Sequence, residues 1–258
     1  VEGQDKKPQM TLEERISLTL ALVMDKENIP KPEYNPTYGS TYQRVKKRGH
    51  VICGTNDEFP GFSQSIWKEG DGWRWEGFDV DICRAVAAAM FGDADAIEFT
   101  IVNGKTRFEF LIDGSIDVLS ATTTFTYTRN VTKKLEFLPT TFYDGQGFIV
   151  RKTLGVSSAK QLEGAKICFS GTSTAAKNIA DFFELHGINY IPVAVPPNEK
   201  TKNVYKRGDC DMYGTDRSGL ASNRLSFDDP ERHMILPEII SKEPLGPVVK
   251  YGDQKWSD

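Results

Sequence analysis

Short apolar runs alternate with longer mixed stretches through most of the chain. The apolar runs predict buried strands, and the stretches between them predict helices. The predicted strands cover residues 50–54, 97–102, 116–119, 148–150, 166–169, 188–195, 210–213 and 235–241. The predicted helices cover residues 80–91, 104–112, 174–186, 201–207 and 218–225. Because strand and helix alternate, we predict an α/β fold with parallel, doubly wound sheets.

A run of hydroxyl residues follows the predicted strand at 116–119. Residues 120–130 read Ser-Ala-Thr-Thr-Thr-Phe-Thr-Tyr-Thr-Arg-Asn, and a short helical turn begins within them. A strand that ends in hydroxyls and leads into a helix presents backbone N–H groups and the positive end of a helix dipole, which suits an anion. Arg129 adds a planar, two-pronged donor for a carboxylate. The alternative is that the threonines are strand formers and caps, and that Arg129 is a solvated charge.

Polar loops follow other predicted strands as well. Asn56 and Phe59 lie after the first strand, a hydroxyl-rich loop occupies residues 170–174, and Asp216 follows the strand at 210–213. Parallel α/β proteins bind ligands at the carboxyl ends of their strands. Two hydroxyl loops that face each other across a cleft can share one small zwitterion, and a partly desolvated Asp216 suits an ammonium group. The alternatives are that Asp216 caps the next helix and that Phe59 anchors its loop.

Composition indicates an ordinary globular protein. Of the 258 residues, 39% are hydrophobic and 26% are charged, and the net charge is −4. Interspersed charges of both signs argue against a nucleic-acid or anionic-membrane surface as the main function. The apolar runs fall short of the roughly 20 residues that span a bilayer. A signal peptide is not visible, so we expect the chain in its mature form.

Motifs for catalysis or for cofactors are not evident in the sequence. The three histidines, His50, His186 and His233, lack metal-ligand spacing and adjacent nucleophiles. Dinucleotide and Walker loops are also missing, so we predict no cofactor and no metal. Asp57 and Glu58 are the only acids near the first loop that catalysis could use, and nothing distinguishes them. We therefore predict that the protein is not an enzyme.

Three long segments resemble one family. They are residues 77–87 (Gly-Phe-Asp-Val-Asp-Ile-Cys-Arg-Ala-Val-Ala), 143–152 (Tyr-Asp-Gly-Gln-Gly-Phe-Ile-Val-Arg-Lys) and 236–247 (Leu-Pro-Glu-Ile-Ile-Ser-Lys-Glu-Pro-Leu-Gly-Pro). Together they resemble the periplasmic solute-binding proteins for polar amino acids that serve ABC importers, in particular the general L-amino-acid-binding branch. The resemblance runs from about Thr41 to the C-terminus. It implies binding of an L-α-amino acid in the periplasm, without chemical change.

The resemblance also implies the domain organisation. We expect the type II periplasmic-binding-protein fold, in which two doubly wound lobes are joined by a hinge. Lobe I would comprise residues 41–143 and 246–258, and lobe II would comprise residues 144–245. The two hinge crossings would be the glycine-containing segment 142–148 and the segment 243–247. Residues 1–40 would form an N-terminal extension or arm, with a helix near residues 11–24 and a proline-rich connector after it.

The resemblance assigns roles to the polar loops. Arg129, Thr124 and nearby backbone would hold the carboxylate of the ligand, and Asp216 with Asn56 would hold its ammonium group. Phe59 and Phe78 would form walls for the side chain, and Arg107 and Phe108 resemble the family pattern in the helix at 104–112. The remaining predicted ligand residues are Thr122 and Thr172.

The four cysteines suit two disulfides in an oxidising compartment. Three pairings are possible, and four buried thiols are the alternative. We favour Cys53–Cys83 with Cys168–Cys210, because each bridge then stays within one lobe.

Departures from the family pattern leave a second function open. Ala121 and Thr122 stand where the general branch carries an Arg-Asn pair, and Ala175 and Ala176 replace more polar residues. The family continues beyond the position of Asp258, which would leave apolar surface on lobe I uncovered, so we expect either that these residues belong to a longer chain or that a partner covers the surface. The arm and this surface would dock on a membrane transporter. In the alternative, they join a structural accessory subunit to a larger membrane or organellar complex, such as a mitochondrial one.

Overall fold

The computed structural model describes residues 40–70 and 72–258. The predictions for the arm at residues 1–39 therefore lie outside the described residues. Within them, no helix has the length and apolar character that a membrane crossing requires. The strands are β1 (Val51–Thr55), β2 (Glu58–Phe59), β3 (Ser63–Lys68), β4 (Gly72–Glu76), β5 (Ile97–Ile101), β6 (Val118–Leu119), β7 (Leu135–Phe137), β8 (Phe142–Arg151), β9 (Lys166–Ser170), β10 (Ile191–Val195), β11 (Met212–Asp216), β12 (His233–Ile235), β13 (Ser241–Leu245) and β14 (Val248–Lys250).

Helices connect and cover these strands. The α-helices are α1 (Thr41–Arg48), α2 (Phe78–Phe91), α3 (Thr106–Asp113), α4 (Ala175–His186), α5 (Thr201–Arg207), α6 (Arg217–Leu225) and α7 (Gln254–Ser257). A one-turn π-helix spans Thr128–Thr132, and short 3₁₀ helices span Lys152–Leu154, Ala159–Gln161 and Pro230–Arg232. Gly77 precedes α2 with φ of 125°, and a Cβ there would collide with the Phe62 carbonyl, so the sharp entry from β4 into α2 requires glycine.

The first sheet has five strands in the order β5-β1-β6-β14-β7. β1 is parallel to β5 and β6, while β14 is antiparallel to β6 and β7. Alternate residues of β1 enter different cores, as expected when successive side chains point to opposite faces of a strand. Val51 and Cys53 join one buried cluster and Ile52 packs against another. Both faces of this sheet are therefore covered.

The second sheet has the order β10-β9-β11-β8-β12, and β13 also pairs with β8. β9 is parallel to β10 and β11, and the remaining pairs are antiparallel. Ile167 and Phe169 of β9 enter one core cluster and Cys168 enters the other, again as alternation requires. All strands of this sheet come from residues 142–250, with β14 returning to the first sheet. The lobe boundaries given above stay a prediction.

Two local predictions are wrong. Residues 235–241 do not form one strand: β12 ends at Ile235 and β13 begins at Ser241. The chain between them leaves the ladder because Pro237 has no N–H to donate, and the Arg217 guanidinium binds the Leu236 and Glu238 carbonyls. The strand predicted at 148–150 begins earlier than expected, because the glycine-containing segment 142–148 also belongs to the ten-residue strand β8 and its backbone pairs with both β13 and β11. Its role as a hinge crossing stays a prediction.

The predicted disulfide pairing is confirmed. Cys53 of β1 is bonded to Cys83 of α2, with Cα atoms 6.2 Å apart. Cys168 of β9 is bonded to Cys210, just before β11, with Cα atoms 5.8 Å apart. Each bridge ties the centre of one sheet to an element packed beside it. The strand ends that carry the polar loops are thereby held near their neighbours.

Candidate functional site

A cavity of about 520 Å³ lies where the carboxyl ends of strands from both sheets meet. Asn56 and Phe59 follow β1, Thr122 and Thr124 follow β6, and the loop after β5 contributes Asn103 and Gly104. From the second sheet, the loops after β9 and β10 and the end of β11 contribute the opposite wall. That wall includes Ser170, Thr172, Thr174, Lys200 and Asp216. Parallel strands of one sheet end at the same edge, so their polar loops converge there.

Seven of the eight predicted ligand residues line this cavity, and Phe78 does not. The lining residues among them are Asn56, Phe59, Thr122, Thr124, Arg129, Thr172 and Asp216. The Phe78 ring instead packs edge-on against Phe62 and Phe142, with ring centroids 6.1 Å and 6.0 Å apart. Phe78 begins α2 directly after the sharp entry at Gly77, and this geometry places the ring beside β8.

Asp79 holds the loop that follows β6. Its carboxylate accepts hydrogen bonds from the Ser120 hydroxyl at 2.6 Å and from the Thr122 N–H at 2.9 Å. Thr122 has φ of 44°, a left-handed conformation that is uncommon for a β-branched residue. Burial raises the pKa of Asp79 to about 6, although both hydrogen bonds act in the opposite direction. The strained loop is therefore held by a buried acid from α2, and the Thr122 hydroxyl accepts from the Asn56 amide at 3.4 Å.

Arg129 is buried beside the cavity, with 7% of its surface exposed. Its Nη1 donates to the Thr124 carbonyl at 2.7 Å, and its guanidinium lies 5.5 Å from the centre of the Phe108 ring. Burial lowers the pKa of Arg129, while the charges of Glu243 and Asp216 raise it. The side chain is thus positioned in advance at the cavity wall, and it is not the solvated charge of the alternative interpretation.

Arg107 is a second guanidinium at the same wall, and its role was not predicted. It lines the cavity and stacks on Phe108 at 4.6 Å, and its buried Nε has no hydrogen-bond partner within the described residues. Burial lowers its pKa to about 9, with a further contribution from the neighbouring charge of Arg129. A buried cation beside a like charge favours an anion in the cavity. The only sequence signal was its place next to Phe108 in the family pattern.

Asp216 lies at the junction of β11 and α6. It occupies the N-cap position of α6, but its side chain makes no capping hydrogen bond. Asp144 of β8 takes that role, since its carboxylate accepts from the Ser218 N–H at 3.1 Å. Burial, followed by the charges of Glu243 and Asp144, raises the pKa of Asp216 to about 7. The carboxylate is therefore available to the cavity, in an environment that a positive charge would stabilise.

A network of hydrogen bonds fixes Gln146 of β8 and Glu243 of β13. Glu243 is almost fully buried and accepts from the Asn178 amide at 2.8 Å and from the Ser241 hydroxyl at 2.5 Å. Gln146 donates to the Thr174 hydroxyl at 2.8 Å and accepts from Asn178 at 3.0 Å. These residues were missed because their partners come from α4 and from the crossing strands, which no local pattern brings together.

The sequence from residue 51 to residue 256 matches the model of the bacterial extracellular solute-binding proteins, family 3. The chain belongs to this family. The resemblance found in the three sequence segments is therefore confirmed, and so is the predicted type II periplasmic-binding fold. Family 3 proteins are solute receptors rather than enzymes. In this member, the described residues contain no group of His, Cys, Asp and Glu side chains that could hold a metal ion.

Two curated relatives have similar sequences. The general L-amino acid-binding periplasmic protein AapJ of Rhizobium johnstonii is 47% identical over 219 residues, which cover 85% of this chain and 63% of the relative. The glutamate/glutamine/aspartate/asparagine-binding protein BztA of Rhodobacter capsulatus is 45% identical, with 85% and 64% covered. The chain thus spans less than two thirds of the length of these relatives.

Solved structures agree with this fold. A periplasmic binding protein of an ABC transporter from Brucella ovis, with glutathione bound, is 42% identical to this family 3 chain. Its TM-score is 0.80, and the match covers 85% of this chain and 68% of the other. The cysteine-binding protein from Campylobacter jejuni has a TM-score of 0.69 at 22% identity, with 85% and 84% covered, and shows the fold alone.

Proposed function

We propose that this protein binds an L-α-amino acid in the cavity, as the solute receptor of an ABC-type uptake system. The observation that carries the proposal is the convergence of the Arg107 and Arg129 guanidinium groups and the buried Asp216 carboxylate on a single cavity of about 520 Å³. An α-amino acid is the small ligand that needs both charges. The cavity volume lies within the roughly 300–1,000 Å³ usual for small-molecule sites.

Each end of the ligand has a matching group. Arg129 and the backbone around Thr124 would bind the carboxylate, because a guanidinium offers two parallel N–H donors to it. Asp216 and Asn56 would bind the ammonium group. A bound ammonium would replace part of the hydration that burial removes from the Asp216 carboxylate. Phe59 would contact the side chain of the ligand.

The hydroxyl loops complete the proposed site. Thr122 and Thr172 lie on opposite walls and offer donors and acceptors to either charged group. Arg107 would add positive charge near the carboxylate. No step of this proposal changes a covalent bond in the ligand.

The relatives support a receptor over the accessory-subunit alternative. AapJ and BztA are binding proteins for amino acids by name, and the Brucella ovis protein holds glutathione, which carries an amino-acid end group. We propose that the chain works in the periplasm, where its two disulfides would persist. Its proposed partner is the membrane transporter that receives the ligand.

A thermal-shift screen against the common L-amino acids tests this function. The protein is first unfolded without reductant and refolded, to remove any ligand acquired during expression. A ligand at 100 times its dissociation constant adds about 2.7 kcal/mol, which should raise Tm by about 5–10 °C in a protein of this size.

Matched variants decide whether the shift reports the proposed site. Arg129→Ala should abolish the shift, whereas Arg232→Ala should retain it, because Arg232 is exposed, does not line the cavity and pairs with Asp229 of its own turn. A folded, monodisperse protein that responds to none of the amino acids would contradict the proposal. An undiminished shift in Arg129→Ala would contradict the assigned carboxylate site.

A further inference from the structure

Two glycines lie where a side chain of the other lobe fills the space that a Cβ would need. Gly104, between β5 and α3, faces Thr172 of the second sheet: the Thr172 Cβ is 3.1 Å from that position, and its hydroxyl is closer still. Gly219 of α6 faces Phe59 of the first lobe, whose Cζ is 2.8 Å from the corresponding position. Cβ atoms essentially never come within 3.0 Å of other atoms, and the Thr172 hydroxyl and the Phe59 Cζ both lie closer than that. Side chains at 104 and 219 would therefore hold the two walls apart.

Neither glycine is required by its backbone conformation. Twelve glycines of the described chain have φ between 65° and 125°, and Gly104 and Gly219 are not among them. An alanine at either position is compatible with the backbone, and only its methyl group has no room. Glycine at positions 104 and 219 therefore leaves space between the two lobes.

Both sides of the Gly104 contact are held in place. The Asn103 side chain accepts hydrogen bonds from the N–H groups of Lys105 at 2.9 Å and Thr106 at 3.1 Å, which fixes the loop at the start of α3. On the other wall, the hydroxyls of Ser170 and Thr172 are 3.2 Å apart and hydrogen-bonded. Rotation of the Thr172 hydroxyl away from a methyl group at 104 would break this hydrogen bond and leave the Thr172 Cβ at 3.1 Å, so we expect movement of one lobe to relieve the contact.

We propose that Gly104 and Thr172 form the closing contact of the cleft, and that the size of residue 104 sets how far the lobes close on the ligand. The Phe59–Gly219 pair forms a second contact of the same kind. The effect on affinity rests on the proposed function, because closure matters for binding only if a ligand occupies the cavity. A wider cleft would separate the groups that hold the carboxylate from those that hold the ammonium.

Gly104→Ala tests the proposal, with Gly171→Ala as the matched control. A Cβ at 171 would lie 3.4 Å from the Val195 carbonyl and 3.7 Å from the Ala194 side chain, which are ordinary contacts within one lobe. Isothermal titration with the amino acid found in the thermal-shift screen should show about tenfold weaker binding for Gly104→Ala, as for an overpacked contact, and little change for Gly171→Ala.

A second substitution that restores closure distinguishes a loss of closure from other effects of Gly104→Ala on the protein. Thr172→Ala removes the hydroxyl and methyl groups that meet residue 104, so the double variant Gly104→Ala/Thr172→Ala should bind nearly as tightly as Thr172→Ala alone. The Tm of ligand-free Gly104→Ala should stay within about 4 °C of wild type, because the open form has room for the methyl group. Equal affinities of Gly104→Ala and wild type, or a double variant without rescue, would overturn the proposal.

A measurement without ligand keeps the two proposals distinguishable. Spin labels on Glu109→Cys and Glu184→Cys, at exposed sites of α3 and α4, report the separation of the lobes. Gly104→Ala should deplete the short-distance, closed fraction of the ligand-free ensemble, while Gly171→Ala should leave that fraction unchanged. If wild type binds no amino acid but the distances shift, the proposed function fails and the closing contact stands. If wild type binds and the distances do not shift, the closing contact is refuted.

Discussion

Acidification from pH 8 to pH 6 should weaken ligand binding through Asp216. Its pKa of about 7 in the unliganded protein results from burial and from the charges of Glu243 and Asp144. A bound ammonium would place a positive charge beside the carboxylate and lower this pKa. The ligand therefore binds the ionised form of Asp216 in preference to the protonated form.

The size of the effect follows from the pKa. With a pKa of about 7, roughly nine tenths of the carboxyl groups are ionised at pH 8 and roughly one tenth at pH 6. If the pKa in the complex lies well below 6, the affinity falls about tenfold over this range, which is about 1.4 kcal/mol. The effect of Asp216 on folding stability runs in the opposite direction: acidification weakens ligand binding but stabilises the fold. Folding raises the pKa of Asp216 from 3.8 to about 7, so this carboxyl group contributes stability that is fully present below pH 3.8. That contribution is lost as the pH rises through about 7.

Isothermal titration at pH 6 and pH 8 measures this linkage. The ligand should lack a titratable side chain, and two buffers with different ionisation enthalpies reveal proton release, which should approach about 0.9 per ligand at pH 6. None of the residues that line the cavity is a histidine, so Asp216 is the group in the site with a pKa near 7.

Two variants make the assignment specific. Asp216→Asn should bind weakly and lose most of the pH dependence between pH 6 and pH 8. Glu243→Gln should move the midpoint of the pH dependence to lower pH, because the Glu243 charge raises the pKa of Asp216. Equal wild-type affinities at pH 6 and pH 8, without buffer-dependent heat, would refute the role of Asp216 as the ammonium partner.

Three further predictions concern stability. The double variant Cys168→Ala/Cys210→Ala should lose about 4 kcal/mol of its free energy of unfolding, because the bridge closes a loop with a sequence separation of 42. Calorimetry should show a lower Tm, and an unchanged Tm would contradict this. Asp79→Ala leaves two buried donors unpaired, so urea unfolding should show a loss of about 2 kcal/mol, and a wild-type midpoint would disprove it. Gly77→Ala should lose at least about 2 kcal/mol of its free energy of unfolding, because the new Cβ would collide with the Phe62 carbonyl. A wild-type midpoint in chemical denaturation would exclude that collision.

Local pattern was sufficient for most elements of the fold. The alternation of apolar and mixed stretches located β1, β5, β6, β9, β10 and β11, since a buried strand needs a short apolar run whatever it packs against, but it missed β7 and β14. It failed at residues 235–241, where the pattern is apolar but Pro237 and the Arg217 side chain interrupt the ladder. It also placed the start of β8 at residue 148 rather than at Phe142, because pairing with β13 extends this strand through a segment that has no local apolar run.

The features of the candidate site also fall into two groups, those that the sequence identified and those that only the tertiary structure revealed. The sequence determined which loops carry hydroxyls, Arg129 and Asp216, because these loops follow strands and the carboxyl ends of parallel strands share one edge. Only the tertiary structure decided that Asp144 caps α6 in place of Asp216, that Arg107 reaches the cavity and that Phe78 does not. It also decided that Thr172 meets Gly104. These contacts join residues far apart in the chain, so they depend on the relative placement of two sheets, which no local pattern of side chains encodes.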